Sequence, residues 1–242
     1  MCGYLGNVIQ DPLYKTLMDL LQAKDQLNLE FDNPGSGPAA SINIIHAARQ
    51  GAVSAERQLD KAIWWLLLDK QPDGGLKLSK YTSFNTRSDK LNVPRSAGYK
   101  AYRQSRCIIP ATYIIEGEGA KNNRHYHRIE PRHCGFALAG LYRTWLDEST
   151  GEEVKSCSVI TVPPTPEWQG VHSKSTPLFL PARNAELIAQ WLDPAVQNIE
   201  VFDYLFEPLI GLRGVEELIA TPIDRPGSQL VTGEPRQLLR HS

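Results

Sequence analysis

Hydrophobic and polar positions follow two different periods along the chain, and the places where one gives way to the other mark the elements. Leu13, Leu17, Met18, Leu20 and Leu21 recur at helical spacing behind an Asp-Pro pair, which predicts an amphipathic helix with one face on the core. Further on, "DNPGSGPAAS" is dense in turn residues and predicts a connection too short to separate domains. Runs rich in β-branched, aromatic and apolar residues then come at "INIIHA", "AIWWLLL", "RCIIPATYIIE", "CGFALAGLYRTW", "SCSVITV" and "EELIATPI", each read as a strand. In "NRHYHRIEP" alternate residues predict a strand with a solvent face. Helical spacing returns in "NAELIAQWL", where Asn184 stands as a cap with an acid in the first turn, and "NIEVFDYLF" continues as a second helix after Pro194. Strands that follow one another without regular helical crossovers predict an α+β fold: a mainly antiparallel, partly closed, barrel-like sheet with surrounding helices, in one domain spanning residues 1–242.

Composition narrows the function classes. At 242 residues and 41% hydrophobic content the chain can bury a full core. It has neither a membrane-length apolar run nor the basic start and apolar stretch of a secretory signal, so the expectation is a soluble, cytoplasmic protein. Cys2, Cys107, Cys134 and Cys157 lack metal-binding spacing and read as reduced thiols. His125 and His127 near His133 and Cys134 resemble a metal cluster only until the strand alternation is considered, so no metal is expected.

The net charge of −1 conceals an asymmetry. Between Lys77 and Arg106 stand eight basic residues and one acid, Asp89, while the rest of the chain holds 18 basic residues against 26 acidic ones. Tyr81, Phe84, Tyr99 and Tyr102 are interleaved with these cations. Cations for phosphates and aromatic faces for unstacked bases are what single-stranded nucleic acid requires, although a solvated surface loop has the same composition.

Candidate chemistry begins at "MCGYLG". Removal of Met1 would leave Cys2 with an α-amine and a thiol on adjacent carbons, a nucleophile made of two groups. Downstream, polar residues fall at or beyond strand ends: Asn85 and Arg87 in "SFNTRSD", Glu116 closing "CIIPATYIIE", and His172 in "GVHSKSTPLFL". Singly, they read as a turn cap, a surface cation, a solvated strand end and a structural histidine. Together with "MCG", and in this order, they resemble the SOS-response-associated peptidase family, the abasic-site processing proteins. The resemblance runs through "WWLL", "FNTRSD", "RCIIPATYIIE", "ALAGLYRTW", "SVITV" and "VHSKSTPLFL" to "ATPIDRP". Departures are Tyr4 where such proteins commonly carry arginine, Gly117 where tryptophan often follows the glutamate, "FDNPGSGP" upstream of the first long strand, and Ser175-Thr176 before Pro177.

The resemblance implies a cofactor-free protein that acts as a monomer on abasic sites in single-stranded DNA and attaches to them through Cys2, with associated lyase activity and loss of its own initiator methionine. An abasic sugar opens to an aldehyde, which an amine adjacent to a thiol condenses with and then closes to a thiazolidine. An α-amine titrates near pH 8, so about a tenth is unprotonated at neutrality, far more than for a lysine near 10.4. In this scheme Glu116 moves protons during imine formation, His172 assists sugar opening and reversal, and Asn85 bonds the sugar or holds the N-terminus. Arg87, with Ser88, Lys90 and Arg106, would hold phosphates. Two other readings share the features: a class II glutamine amidotransferase, which also begins "MCG" but uses an Asn-Gly element that this chain lacks, and a DNA-binding module that has lost the chemistry.

Overall fold

The apolar run from Arg106 to Glu116 is two strands, and the break between them determines where Glu116 ends up. A computed structural model describes residues 3–23, 32–48, 56–120, 122–207 and 217–238. In chain order they form β1 (Leu5–Asn7), α1 (Pro12–Leu21), β2 (Asn33–Ser36), β3 (Ser41–Ala47), β4 (Arg57–Ile63), the hairpin of β5 (Leu68–Lys70) and β6 (Leu76–Leu78), β7 (Asn85–Arg87), α2 (Tyr99–Gln104), β8 (Arg106–Ala111) and β9 (Tyr113–Glu118). Then follow β10 (His125–Pro131), β11 (Phe136–Asp147), β12 (Glu152–Val162), β13 (Thr176–Pro177), β14 (Phe179–Leu180), α3 (Ala185–Leu192), β15 (Leu218–Ile223) and β16 (Arg236–Gln237).

The architecture is α+β. Strands β12, β4, β3, β8 and β11 pair in that order, and β11 returns to β12, so the expected partial barrel is fully closed. Its pairings are antiparallel except at Ser156↔Ile63, where β12 meets β4 in parallel. A second, antiparallel sheet runs β16-β15-β10-β9-β1-β2. Alternation explains the unbroken apolar runs. In β8, Cys107, Ile109 and Ala111 pack with Ile114, Ile129 and Ala220 of the second sheet, whereas Ile108 packs with Leu17, Leu21 and Trp191 of α1 and α3. Both faces of the strand are buried, so neither needs polar residues. Helix α1 starts at Asp11, whose carboxylate accepts the Leu13 N–H at 2.8 Å, and α3 at Asn184, whose Oδ1 accepts the Leu187 N–H at 3.0 Å. Among the described residues no helix is long and apolar enough to cross a membrane.

Thr112 is the joint between the sheets. Its backbone N–H and its hydroxyl both donate to the Gly6 carbonyl, at 2.8 and 3.2 Å, and the chain passes from the barrel into the second sheet. There β9 lies against β1, with Tyr113 opposite Gly6. A Cβ on Gly6 would fall 2.1 Å from the Tyr113 ring, so glycine is what permits the ring to lie over the strand. The Tyr113 hydroxyl donates to the Pro34 carbonyl of β2 and accepts from Gln229 Nε2, tying three segments around the start of the chain.

Three sequence expectations are corrected here. "AIWWLLL" is not a strand: β4 ends at Ile63, and the tryptophans clamp the segment before β7, with Trp64 Nε1 donating to the Phe84 carbonyl at 2.8 Å and Trp65 Nε1 to the Ser79 carbonyl at 3.1 Å. "DNPGSGP" includes a strand, because β2 is an edge that tolerates Pro34 and Gly35, and Asn33 Oδ1 accepts from the Gly35 N–H and the Ser36 hydroxyl. "NIEVFDYLF" forms a 3-10 helix over Ile199–Phe206, whose buried residues Ile199, Phe202 and Leu205 recur every third position as that geometry demands.

Candidate active site

Strand β9 continues past the beginning of β1, and the end of its edge forms a wall. The Tyr4 carbonyl accepts the Ile115 N–H at 2.9 Å, and beyond that bond Glu116, Gly117 and Glu118 border a pocket of about 410 Å³. Gly3, Phe84, His172 and Lys174 also line it. Cys2 lies outside the described residues; Gly3, to which it is bonded, is in the pocket wall.

Glu116 is 1% exposed, and burial pushes its pKa up to about 7. His172 follows the 3-10 turn Pro166–Trp168, with its backbone N–H donating to the Trp168 carbonyl at 2.9 Å. Its ring Nδ1 lies 2.9 Å from the Gly117 carbonyl, which can only accept, so Nδ1 carries the proton and Nε2 is the acceptor end of the neutral ring. Desolvation holds the imidazole below its ordinary pKa. Nδ1 also stands 3.7 Å from Glu116 Oε2, too far for a hydrogen bond but within direct electrostatic reach. The turn itself is pinned by Ser173, whose backbone N–H and hydroxyl each donate to the Glu118 carboxylate at 2.7 Å and keep it below the usual carboxylate range. On the other side, Thr176 and Pro177 pair with Val162 and Thr161 of β12.

Asn85 opens β7, which runs parallel to β12 with Asn85 opposite Val159. Its neighbour Phe84 reaches the pocket, and the Phe84 carbonyl is held by Trp64 Nε1 and by the Val159 N–H at 3.0 Å. Arg87 and Ser88 line an adjoining depression of about 400 Å³ with Asp89, Thr161 and Ser175. Lys174 belongs to both cavities and so joins them. The exposed Arg87 guanidinium is engaged by Asp89 through two bonds of 2.9 Å, and the Lys90 ammonium is 3.7 Å from the same carboxylate.

Arg106 does not join this group. It is 3% exposed, and its guanidinium donates to the backbone carbonyls of Tyr102, Trp191, Asp193 and Val196 at 2.6 to 3.0 Å. Those bonds tie the ends of α2 and α3 to β8, so the assignment of Arg106 to phosphate binding is withdrawn. Tyr102 is likewise core, and Tyr99 carries the Arg103 guanidinium 3.8 Å above its ring. Of the four interleaved aromatics, Tyr81 remains exposed and Phe84 faces the pocket. Sequence reasoning missed Glu118, Ser173, Lys174 and Arg124, which meet here only through strand pairing and a turn. Among the described residues no cluster of three His, Cys, Asp or Glu side chains is arranged to hold a metal ion.

The sequence profile of the SOS response associated peptidase (SRAP) family matches residues 1–225. The fold is shared with a protein from Bordetella bronchiseptica, at 17% identity and a TM-score of 0.67 over 93% of this chain and 100% of that one. A protein from Bacteroides thetaiotaomicron is similar at 18% identity and a TM-score of 0.63, over 92% of each chain. A phage-related protein from Bordetella bronchiseptica is similar at 16% identity and a TM-score of 0.61, over 96% of this chain and 100% of that one. No functionally curated protein matches the sequence significantly.

Proposed function

We propose, since this chain belongs to the SOS response associated peptidase family, that it captures abasic sites in single-stranded DNA as a covalent adduct of Cys2. The observation that carries the reading is the pairing of a glutamate held near pH 7 by burial with a neutral histidine, in a pocket whose wall includes the residue bonded to Cys2. A carboxyl and an imidazole displaced toward each other's range can exchange protons with a substrate at neutral pH in both directions.

The chemistry proceeds as follows. With Met1 removed, the Cys2 amine adds to the C1 aldehyde of the opened sugar, forming a carbinolamine. Glu116 in its acid form protonates the departing hydroxyl, which leaves as water and gives the imine. The thiol then adds to the imine carbon, its proton passes to nitrogen, and a five-membered thiazolidine results. Ring closure is intramolecular, for which effective molarities reach about 10⁵ M or more. His172 Nε2 accepts the C1 hydroxyl proton as the ring opens and passes it to the departing ring oxygen, and the same transfer runs backward when the adduct reverses. Asn85, the next residue after the pocket-lining Phe84, orients the sugar or the amine. Left unclosed, the same imine acidifies the neighbouring sugar carbon and leads to strand scission, the lyase side of the activity. Arg87 and Ser88 hold phosphates along the adjoining depression, and Lys90, near the Asp89 carboxylate, assists them. No cofactor is required, and the protein acts as a monomer in the cytoplasm.

The test is an oligonucleotide carrying one abasic site. Wild type is expected to give a heat-stable shifted band, and Cys2→Ser to give only an adduct that borohydride traps. Equal stable yield from both proteins would end the thiazolidine reading.

A further inference from the structure

Three consecutive residues of β9 serve the pocket in three different ways. Glu116 borders it, the Gly117 carbonyl accepts from His172 Nδ1 at 2.9 Å, and the Glu118 carboxylate accepts from the Ser173 backbone N–H and hydroxyl at 2.7 Å each. One strand therefore carries the acid and grips both the residue that carries the base and the residue after it. Side chains two apart in a strand share a face, so Glu118 points the same way as Glu116. Strand β10 backs this edge in register, with Tyr126 opposite Gly117 and His125 opposite Glu118. The chain then turns back directly: Gly119 takes a φ of +99°, and a Cβ on it would fall 2.5 Å from the Asn123 carbonyl oxygen. Strand β9 is thus a firm mount right up to Glu118.

The His172 turn needs such a mount. Between the 3-10 turn Pro166–Trp168 and Thr176, where β13 begins, the chain runs outside any strand. His172 is buried, but Ser173 and Lys174 are exposed. Behind the ring, the His172 backbone N–H is held by the Trp168 carbonyl at 2.9 Å. Ahead of it, the first backbone donor is the Ser173 N–H, which is satisfied by a side chain from another strand, 55 residues away. Hydrogen bonds to an ionised carboxylate are about twice as strong as neutral ones, and two of them to one residue fix direction as well as distance. The same bonds hold the Glu118 carboxyl below its ordinary range, so it stays ionised across the pH at which Glu116 titrates.

We propose that Glu118 is a positioning residue for the attachment reaction: through Ser173 it holds the His172 turn against β9, so that the ring keeps Nδ1–H on the Gly117 carbonyl and Nε2 toward the substrate. The assignment rests on the abasic-site reading above. The Glu118 carboxylate touches no reacting atom and acts only through the turn. Its charge opposes the polyanion that the pocket receives, so Glu118 weakens binding while it serves the chemical step. That opposition separates it from an ordinary surface acid.

The experiment compares the full chain as wild type, Glu118→Gln, Ser173→Ala, the double variant, and Glu148→Gln as a control for loss of an exposed carboxylate. Affinity for a single strand bearing a tetrahydrofuran abasic analogue, which has no aldehyde, reports binding alone. The attachment rate at saturating authentic abasic strand reports the chemical step. Glu118→Gln should bind the analogue at least as tightly as wild type yet attach about 10- to 100-fold more slowly, the cost of a misplaced reacting group. Ser173→Ala keeps the backbone bond, so its rate should fall between the two, and it should change little in the Glu118→Gln background. Glu148→Gln should attach at the wild-type rate. The imidazole nitrogens are read separately by nitrogen NMR at pH 7, with the His172 signals identified by their loss in His172→Ala. Wild type should show the Nδ1–H form, and Glu118→Gln a mixture with Nε2–H as the ring leaves the Gly117 carbonyl. Wild-type nitrogen signals in Glu118→Gln, or a saturated rate equal to wild type, would overturn the positioning role. If wild type forms no adduct while the tautomer shifts as stated, the attachment chemistry fails and the positioning role stands.

Discussion

Glu116 and His172 stand 3.7 Å apart at their nearest side-chain atoms, and burial moves them in opposite directions: the carboxyl up to about 7, the imidazole below its ordinary value. The geometry alone would permit an ion pair. Desolvation heads the causes on both sides, however, so near neutral pH a substantial share of the pair is a carboxylic acid beside a neutral imidazole. That state gives one donor for a leaving hydroxyl and one acceptor for a sugar proton.

The first prediction concerns stability against pH. Folding raises the Glu116 pKa from 4.5 to about 7, so the native state retains a proton that the unfolded chain gives up across that window. The associated stability is complete below pH 4.5 and is lost as the pH rises through about 7, a change on the order of 3 kcal/mol. Glu116→Gln has no proton to lose. Its melting temperature is expected to exceed wild type at pH 8, with the gap closing as the pH falls toward 4.5. A gap independent of pH would show that the carboxyl is not held in its acid form by burial.

The second prediction separates the two residues kinetically. If Glu116 protonates the departing hydroxyl, Glu116→Gln should slow attachment by about 10²-fold, the scale of a general acid. His172→Ala should slow attachment and release together and approach the wild-type final yield, since a catalyst leaves the equilibrium unchanged. Following adduct formation and its transfer to a competing abasic strand over pH 5 to 8 reads both. Release by His172→Ala at the wild-type rate would leave the histidine a structural role, through its bond to the Gly117 carbonyl.

Arg106 gives a prediction of a different kind. Replacing it with leucine leaves the carbonyls of Tyr102, Trp191, Asp193 and Val196 without their donor. Each acceptor so abandoned costs about 1 kcal/mol, so the loss over the four should reach roughly 4 kcal/mol, read as a lower denaturation midpoint. An unchanged midpoint with a shallower salt slope for DNA would return Arg106 to the phosphate-binding set.

The contrast between Arg106 and Glu116 shows what is legible in a sequence and what is not. Glu116, Asn85 and His172 are picked out only together, by their order behind "MCG" and the family pattern it resembles, since singly they read as a solvated strand end, a turn cap and a structural histidine. The helices starting at Pro12 and Ala185 and most strands are legible from periodicity, because their apolar faces meet the core at regular intervals. Arg106 is misread because a count of charges cannot tell a cation facing solvent from one spent on helix ends 85 to 90 residues away. "WWLL" is misread because two tryptophans serve to clamp the 79–84 segment, and an apolar run looks the same whether it builds a ladder or a brace. Arg124 and Lys174 escape notice altogether. Their meeting depends on the register that sets Tyr126 opposite Gly117 and on the bonds from Ser173 to Glu118, neither of which has a local signature.

The last prediction follows from the bidentate contact between Arg87 and Asp89. To hold a phosphate with its full fork, Arg87 must first leave the Asp89 carboxylate, which it meets at 2.9 Å through both Nε and Nη2. Both side chains are largely exposed, at 69% and 50%, so the pair is screened and worth no more than about 1 kcal/mol. Asp89→Asn should therefore tighten single-strand binding by roughly two- to fivefold, the most that releasing such a pair can return. The gain should depend on Arg87. In an Arg87→Gln background the same change at Asp89 should do little beyond removing one negative charge, and the difference between the two backgrounds is the coupling energy. An equal gain in both backgrounds would mean that Asp89 merely repels the strand and that Arg87 takes no phosphate. Lys90, 3.7 Å from the same carboxylate, is the internal check: Lys90→Gln should leave the coupling between Arg87 and Asp89 in place, because an ammonium at that distance shares the carboxylate's field without occupying its fork.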